Sequence, residues 1–196
     1  MKKPLKQIVE IRAGHPFRGA IKESTNGNGY VIQIRDQNED GQIAWAQLIQ
    51  AEVIGRKAPE WLMPGDILFS ARGIRNISSV VHAHEIGELN LPVVCSPHYF
   101  QIRVNHGTDI LPEFLAWQLN QTIAQRYFQQ SAEGSVQVSI RRSVLEQTLI
   151  TVPSLVKQQQ IIKLAECASR EKQIYRKLIE LRNAELDEIA RQIFKD

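Results

Sequence analysis

Pro153-Ser154-Leu155-Val156-Lys157-Gln158-Gln159-Gln160-Ile161-Ile162 opens the stretch that decides the architecture, because beyond it no glycine or proline occurs before Phe194. An uninterrupted run of good helix formers reads as one long helix. At the coiled-coil period Ile161, Ala168, Tyr175, Arg182 and Ile189 form one row, and Ala165, Lys172, Ile179, Leu186 and Ile193 form its neighbour. Eight of these ten positions are apolar, which is the pattern of a helix-pairing seam. At ~1.5 Å per residue, Gln158 to Phe194 spans roughly 55 Å, more than the body of a domain built from the preceding residues. The seam is narrow and flanked by Arg170, Glu171, Arg176, Lys177, Glu180, Glu185, Asp187 and Glu188, so it suits another helix better than the broad surface of its own domain, which is the alternative. Lys172 and Arg182 then snorkel or meet acids on the partner. The expected partner contacts are Ile161, Ala165, Ala168, Tyr175, Ile179, Leu186, Ile189 and Ile193.

Working outward, residues 1–155 are expected to form one globular domain and 156–196 the helix. With 196 residues and 43% hydrophobic content, the chain can bury one good core, and ~70% of its unfolded surface disappears on folding. The first residues carry lysines without an apolar run behind them, and no stretch approaches the ~18 apolar residues of a membrane span. A cytoplasmic location without membrane contact is therefore expected. Cys95 and Cys167 lie far apart in sequence and suggest neither a disulfide framework nor a thiolate metal site. The net charge of +3 is mild. Its segregation says more, because three stretches carry cations and no acids: 11–22 with Arg12, Arg18 and Lys22, 67–83 with Arg72 and Arg75, and 134–145 with Arg141 and Arg142. Such patches on loops suit a polyanion, against the alternative of chance clustering of surface arginines.

Along the chain, Lys6 to Ile11 reads as a strand or short helix, followed by a turn at Gly14-His15-Pro16-Phe17-Arg18-Gly19. Asn26-Gly27-Asn28-Gly29 precedes a strand from Tyr30 to Ile34. Ile43 to Ile49 and Glu52 to Ile54 fit strands or a strand and a helical turn. Trp61 to Asp66 is a turn launching the strand Ile67 to Ser70, and Ser78 to Ala83, Leu91 to Cys95 and the alternating Tyr99 to Val104 are further strands. After Pro112, Glu113 to Gln130 reads as one helix with an apolar face of Phe114, Trp117, Ile123, Ala124, Tyr127 and Phe128. Ser143 caps a short helix to Glu146, and Leu149 to Val152 is a last strand. The fold class is α+β, many short strands with packed helices and then one long helix.

In this order, Leu62-Met63-Pro64-Gly65-Asp66-Ile67-Leu68-Phe69-Ser70 with Gly73, Leu111-Pro112-Glu113-Phe114-Leu115, Gly134, Ser143 to Glu146, and Ile150-Thr151-Val152-Pro153-Ser154-Leu155 ahead of Gln158 and Ile161 resemble the target-recognition domains of specificity subunits in type I restriction–modification systems. The order carries the resemblance more than any one motif. The family usually has acids between the Leu and the Gln of the last motif, where this chain has Val156-Lys157. The resemblance implies a target-recognition domain followed by a coiled-coil helix, in a half-subunit form. Two copies joined antiparallel through their helices then read a palindromic bipartite site with an unread spacer. It also implies a subunit without activity or cofactor of its own. A separate methylase subunit, docked on the long helix, modifies adenine using S-adenosylmethionine, and a translocase subunit cuts.

Arginine pairs with guanine through two hydrogen bonds, and glutamine or asparagine with adenine. The candidates for DNA contact are Arg72, Arg75 and Asn76 after Phe69, then Gln137, Ser139, Arg141 and Arg142 after Gly134, and Arg18 and Lys22 near the first turn. Some of them touch only phosphate. His82-Ala83-His84 places two imidazoles on one face of an expected strand, without an evident third zinc ligand. Asn26-Gly27-Asn28-Gly29 lacks the third glycine and the preceding strand of a dinucleotide fingerprint. Neither a nucleophile elbow, a methylase motif nor a paired-carboxylate nuclease pattern is present. The competing class is an oligomeric scaffold or adaptor that assembles through its helix and has no DNA specificity.

Overall fold

The computed structural model describes residues 2–55, 58–73, 75–131 and 139–194. In chain order the elements are β1 (Lys2–Pro4), β2 (Val9–Ala13), β3 (Gly29–Ile32), β4 (Ile49–Ala51), β5 (Ile67–Ser70), β6 (Ser78–Val80), α1 (Ala83–Gly87), β7 (Val93–Cys95) and β8 (Tyr99–Val104). They are followed by α2 (Pro112–Leu119), α3 (Thr122–Ser131), α4 (Arg142–Gln147), β9 (Leu149–Thr151) and α5 (Leu155–Ile193). Short 3-10 turns occupy Leu5–Gln7, Ile34–Asp36 and Trp45–Gln47. The chain divides into two compact units, 1–158 and 159–196.

Within the first unit, β2, β8, β5 and β6 form an antiparallel sheet in that order, and β4, β3 and β7 form a mixed sheet in which β3 and β7 run parallel. A third, two-stranded sheet pairs β1 with β9, so the beginning of the chain lies beside the segment that leads into the long helix. Ile32, Leu62, Leu68, Val81, Val93, Cys95 and Tyr99 are buried together and join residues of both larger sheets in one core. On another side of β5, Phe69 meets Phe128 of α3 edge-to-face at 5.1 Å, with both rings buried. Buried aromatic pairs of this kind add ~0.5–1.5 kcal/mol beyond their area.

Several elements differ from the sequence expectation for definable reasons. The single helix expected from 113 to 130 is broken between Leu119 and Thr122. Asn120 there uses its amide twice, accepting from Ser78 N and donating to Ser78 O, both at 2.8 Å. Ile123, expected on the buried face, is 87% exposed. His82 and Ala83 do not extend a strand: β6 ends at Val80, and His82 is the N-cap of α1 with Glu85 accepting from its backbone N–H. Of the two readings open for 43–54, a helical turn with a strand is the one found, as the 3-10 turn Trp45–Gln47 followed by β4, while 52–54 form no strand. The short helix starts at Arg142 behind Arg141 as N-cap, two residues earlier than a Ser143 cap implies.

The long helix starts at Leu155, one residue ahead of the expected boundary at 156. Gln158 is fully buried: Oε1 accepts from Leu111 N at 2.9 Å, while Nε2 donates to Asp109 O at 2.7 Å and Pro153 O at 2.8 Å. With three partners, the burial of this amide carries no desolvation penalty of an unpaired group. From Glu166 through Ile189 every residue is exposed, and Tyr175, Ile179, Leu186 and Ile189 are 57%, 61%, 57% and 46% exposed. A second set of exposed apolar residues, Leu164, Ile174, Leu178 and Leu181, lies beside the first along the same helix. No helix among the described residues is long and apolar enough to cross a membrane.

Candidate nucleic-acid interface

The launch motif builds the base of one candidate surface. Asp66, 1% exposed, receives Arg103 in two hydrogen bonds of 2.7 Å, Gln101 Nε2 at 2.7 Å and Met63 N at 2.8 Å. The carboxylate beside Arg103 holds that guanidinium firmly in its charged form. Asp66 is thus consumed in closing the Met63–Asp66 turn that delivers β5, and Gln101, a polar residue of β8, is buried where it serves the same carboxylate. Arg12 is likewise occupied: it bridges Glu10 and Glu60, and its guanidinium holds the Glu10 carboxyl below the usual carboxylate range.

The loop after β5 and the segment before α4 come together. Arg72 and Ser139 form an isolated antiparallel bridge, and Ile140 N donates to Ala71 O at 2.9 Å. Residues 67 positions apart in sequence, both candidates for DNA contact, are therefore neighbours across one backbone pairing. Arg72 and Arg75 are exposed, and Gly73 sits at φ +132°, a conformation that side chains rarely tolerate. Asn76 departs from the expectation. It is 3% exposed, and its Nδ2 donates to Ser70 O at 2.8 Å, so its amide braces the loop from inside.

Arg18 and Lys22 line a separate opening of ≈ 1270 Å³, together with Phe17, Ile21, Ile54 and Pro97. Gly14 makes this geometry possible: a Cβ there would stand 2.0 Å from Ser96 O, so only glycine lets the strand end pack on the β7–β8 turn. His15 N donates to Cys95 O at 2.8 Å, and the His15 ring meets Phe17 at 4.8 Å edge-to-face. The β7–β8 turn borders both regions, since Pro97 lines the opening and His98 O accepts from Ala71 N at 2.8 Å.

Among the described residues Arg18, Lys22, Arg72 and Arg75 are exposed and have no acidic partner. Arg142 is placed differently: it pairs with Glu146 at 2.7 Å and lines a depression with Lys6, Glu10 and Asn105. Arg141 is exposed at the start of α4, and Gln137 lies outside the described residues. His82 and His84 stack at 5.6 Å on the opening turn of α1. The residues missed by sequence reasoning are Ser70 and Gln125, whose polar groups hold the loop, and their only sequence signal was polarity beside apolar neighbours.

The fold, an α+β domain continued in sequence by a long helix, is similar to that of solved specificity subunits of type I restriction–modification systems. The chain is similar to the type I restriction–modification S subunit of M. genitalium, with 11% identity and a TM-score of 0.56 over 92% of this chain and 42% of that one. It is similar to the HsdS subunit of Thermoanaerobacter tengcongensis, with 15% identity and a TM-score of 0.57 over 87% of this chain and 37% of that one. A structure describing complex assembly and conformational transition of the type I R-M system matches with 15% identity and a TM-score of 0.60, over 87% and 38%. The chain thus spans about two fifths of the length of these proteins. No curated protein sequence matches it. The family model for the type I restriction modification DNA specificity domain matches residues 1–190, and the chain belongs to that family.

Proposed function

We propose that the chain is a sequence-reading module without catalytic activity of its own, in which the 1–158 unit contacts duplex DNA through the loop after β5, the segment from Ser139, and the Arg18–Lys22 region. The observation that carries this reading is the pairing of Arg72 with Ser139. It gathers two loop segments into one edge and leaves Arg72 and Arg75 exposed and without an acidic partner among the described residues, ready for guanine edges or phosphates. Arg12 and Arg103, by contrast, are neutralised by carboxylates. Arg141 and Gln137 belong to the same segment. Asn76 enters as a brace, and Arg142 as a partner of Glu146.

The helix acts in pairing. Its seam of Ile161, Ala165, Ala168, Tyr175, Ile179, Leu186, Ile189 and Ile193, exposed from Ala168 onward, takes a second copy, and charge along the helix favours the antiparallel arrangement. From Val156 to Lys177 six cations stand against two acids, and from Leu178 to Ile193 two cations stand against four acids. A parallel pair sets like charges together, whereas an antiparallel pair sets each basic half on an acidic half. Two like heads then read an inverted repeat with an unread spacer, and direct a methylase subunit that uses S-adenosylmethionine and, where one is present, a translocase subunit that cuts.

Binding of purified protein to cognate and random duplexes tests the reading, with Arg72→Ala as the probe. A base contact lowers cognate affinity selectively, whereas a phosphate contact lowers both affinities and reduces the salt slope by about one. Equal affinity for every duplex, with and without a co-expressed methylase, leaves the scaffold reading in its place.

A further inference from the structure

We infer that Ser70, Asn76 and Gln125 are positioning residues that place Arg72 and Arg75 before DNA arrives. This inference rests on the DNA-reading assignment above. The loop is closed from inside by side chains. Ser70 Oγ donates to Arg75 O at 3.1 Å and accepts from Ile77 N at 2.7 Å. Asn76 Nδ2 crosses the loop base to Ser70 O at 2.8 Å, and the Asn76 carbonyl accepts from Gln125 Nε2 at 2.8 Å. The same Gln125 nitrogen reaches Leu119 O at 2.8 Å, which ties the loop to the break between α2 and α3.

The arrangement is costly to disturb. Ser70 and Asn76 are each 3% exposed, and a buried donor or acceptor that loses its partner retains its full desolvation cost. Ser70 and Asn76 are buried, and half-buried Gln125 spends its amide nitrogen on Asn76 O and Leu119 O, so the three serve the arginines by placing them. A loop held in this way gives up little conformational entropy on binding, and fixed donors discriminate between bases that a mobile loop accommodates equally.

Gln125→Met is the sharpest probe, since it keeps length and helix propensity and removes only the amide. The expected result is a fall of about 10-fold in the ratio of cognate to random affinity, a loss on the scale of one bidentate base contact. Random-duplex affinity and its salt slope stay unchanged, while the melting temperature falls, because the carbonyls of Asn76 and Leu119 lose their shared donor. Hydrogen exchange on free protein gives a readout independent of DNA: the Ile77 amide is protected without DNA in the parent and exchanges faster in Gln125→Met. An unchanged affinity ratio in Gln125→Met, with the parent selective, overturns the positioning role and leaves DNA reading intact. An Ile77 amide that exchanges freely until cognate DNA is added also overturns it. A parent without selectivity overturns the DNA-reading assignment, and the positioning role with it.

Discussion

Replacing Leu186 with alanine is expected to weaken self-association of the chain by about 10- to 150-fold. Leu186 is 57% exposed on α5, so pairing can remove a little over half of its side chain from water. Full burial of a leucine is worth ~1.5–3 kcal/mol, which gives ~1–2 kcal/mol for the part at stake in each copy. A two-fold pair contains the residue twice, and alanine keeps its Cβ, leaving a loss of ~1.5–3 kcal/mol per dimer. Sedimentation equilibrium over a concentration series reads the dissociation constant directly. Gln173→Ala, on the opposite face of the same helix, serves as the control and leaves the constant within about two-fold. A Leu186→Ala protein that associates as tightly as the parent, or a parent that stays monomeric at every concentration reached, refutes the seam as a self-pairing surface.

Asp66→Ala removes the buried acceptor of half-buried Arg103, of the Gln101 amide and of Met63 N; losing these partners costs ~2–3 kcal/mol, and urea unfolding should show a midpoint lowered accordingly. A change below ~1 kcal/mol contradicts the structural role given to Asp66. Burial pushes the Cys95 thiol up to about 12 and raises the Tyr99 phenol as well. The folded state therefore holds these protons where the unfolded chain releases them, and stability present below pH ~9 declines as pH rises toward ~12. Urea midpoints measured between pH 8 and about pH 11 should fall, and Cys95→Ala should flatten part of that fall; an unchanged slope in this variant removes the thiol from the account. At pH 8 a thiol reagent should label exposed Cys167 in the folded protein and reach buried Cys95 only after unfolding. Labelling of both at equal rates in the native state contradicts that burial.

The strands β5 and β8 have the limits that the sequence indicates, because Pro64-Gly65-Asp66 fixes where one begins and the Tyr99–Val104 run carries its own β pattern. The long helix was legible for the same local reason, since propensity and period agree over ten turns. Long-range bonds account for what was not legible. Asn120 breaks a helix because Ser78, 42 residues away, offers a complementary backbone pair. Asn76 resembles a recognition side chain by type and position, yet Ser70 O captures its amide in the interior. The Arg72–Ser139 pairing could not be read either, since it is made between two loops whose approach the sheets determine. Local chemistry named the cationic segments of the candidate site, and the tertiary bonds sorted them into exposed cations, ion-paired arginines and internal braces.

Whether two copies of this chain read DNA as a pair is decided by selection from a random duplex library with the purified protein, alone and with a co-expressed methylase subunit. A pair enriches two inverted half-sites at one fixed separation, with unselected bases between them. Recovery of a single unrepeated site, or of no enriched sequence at all, contradicts reading as a pair.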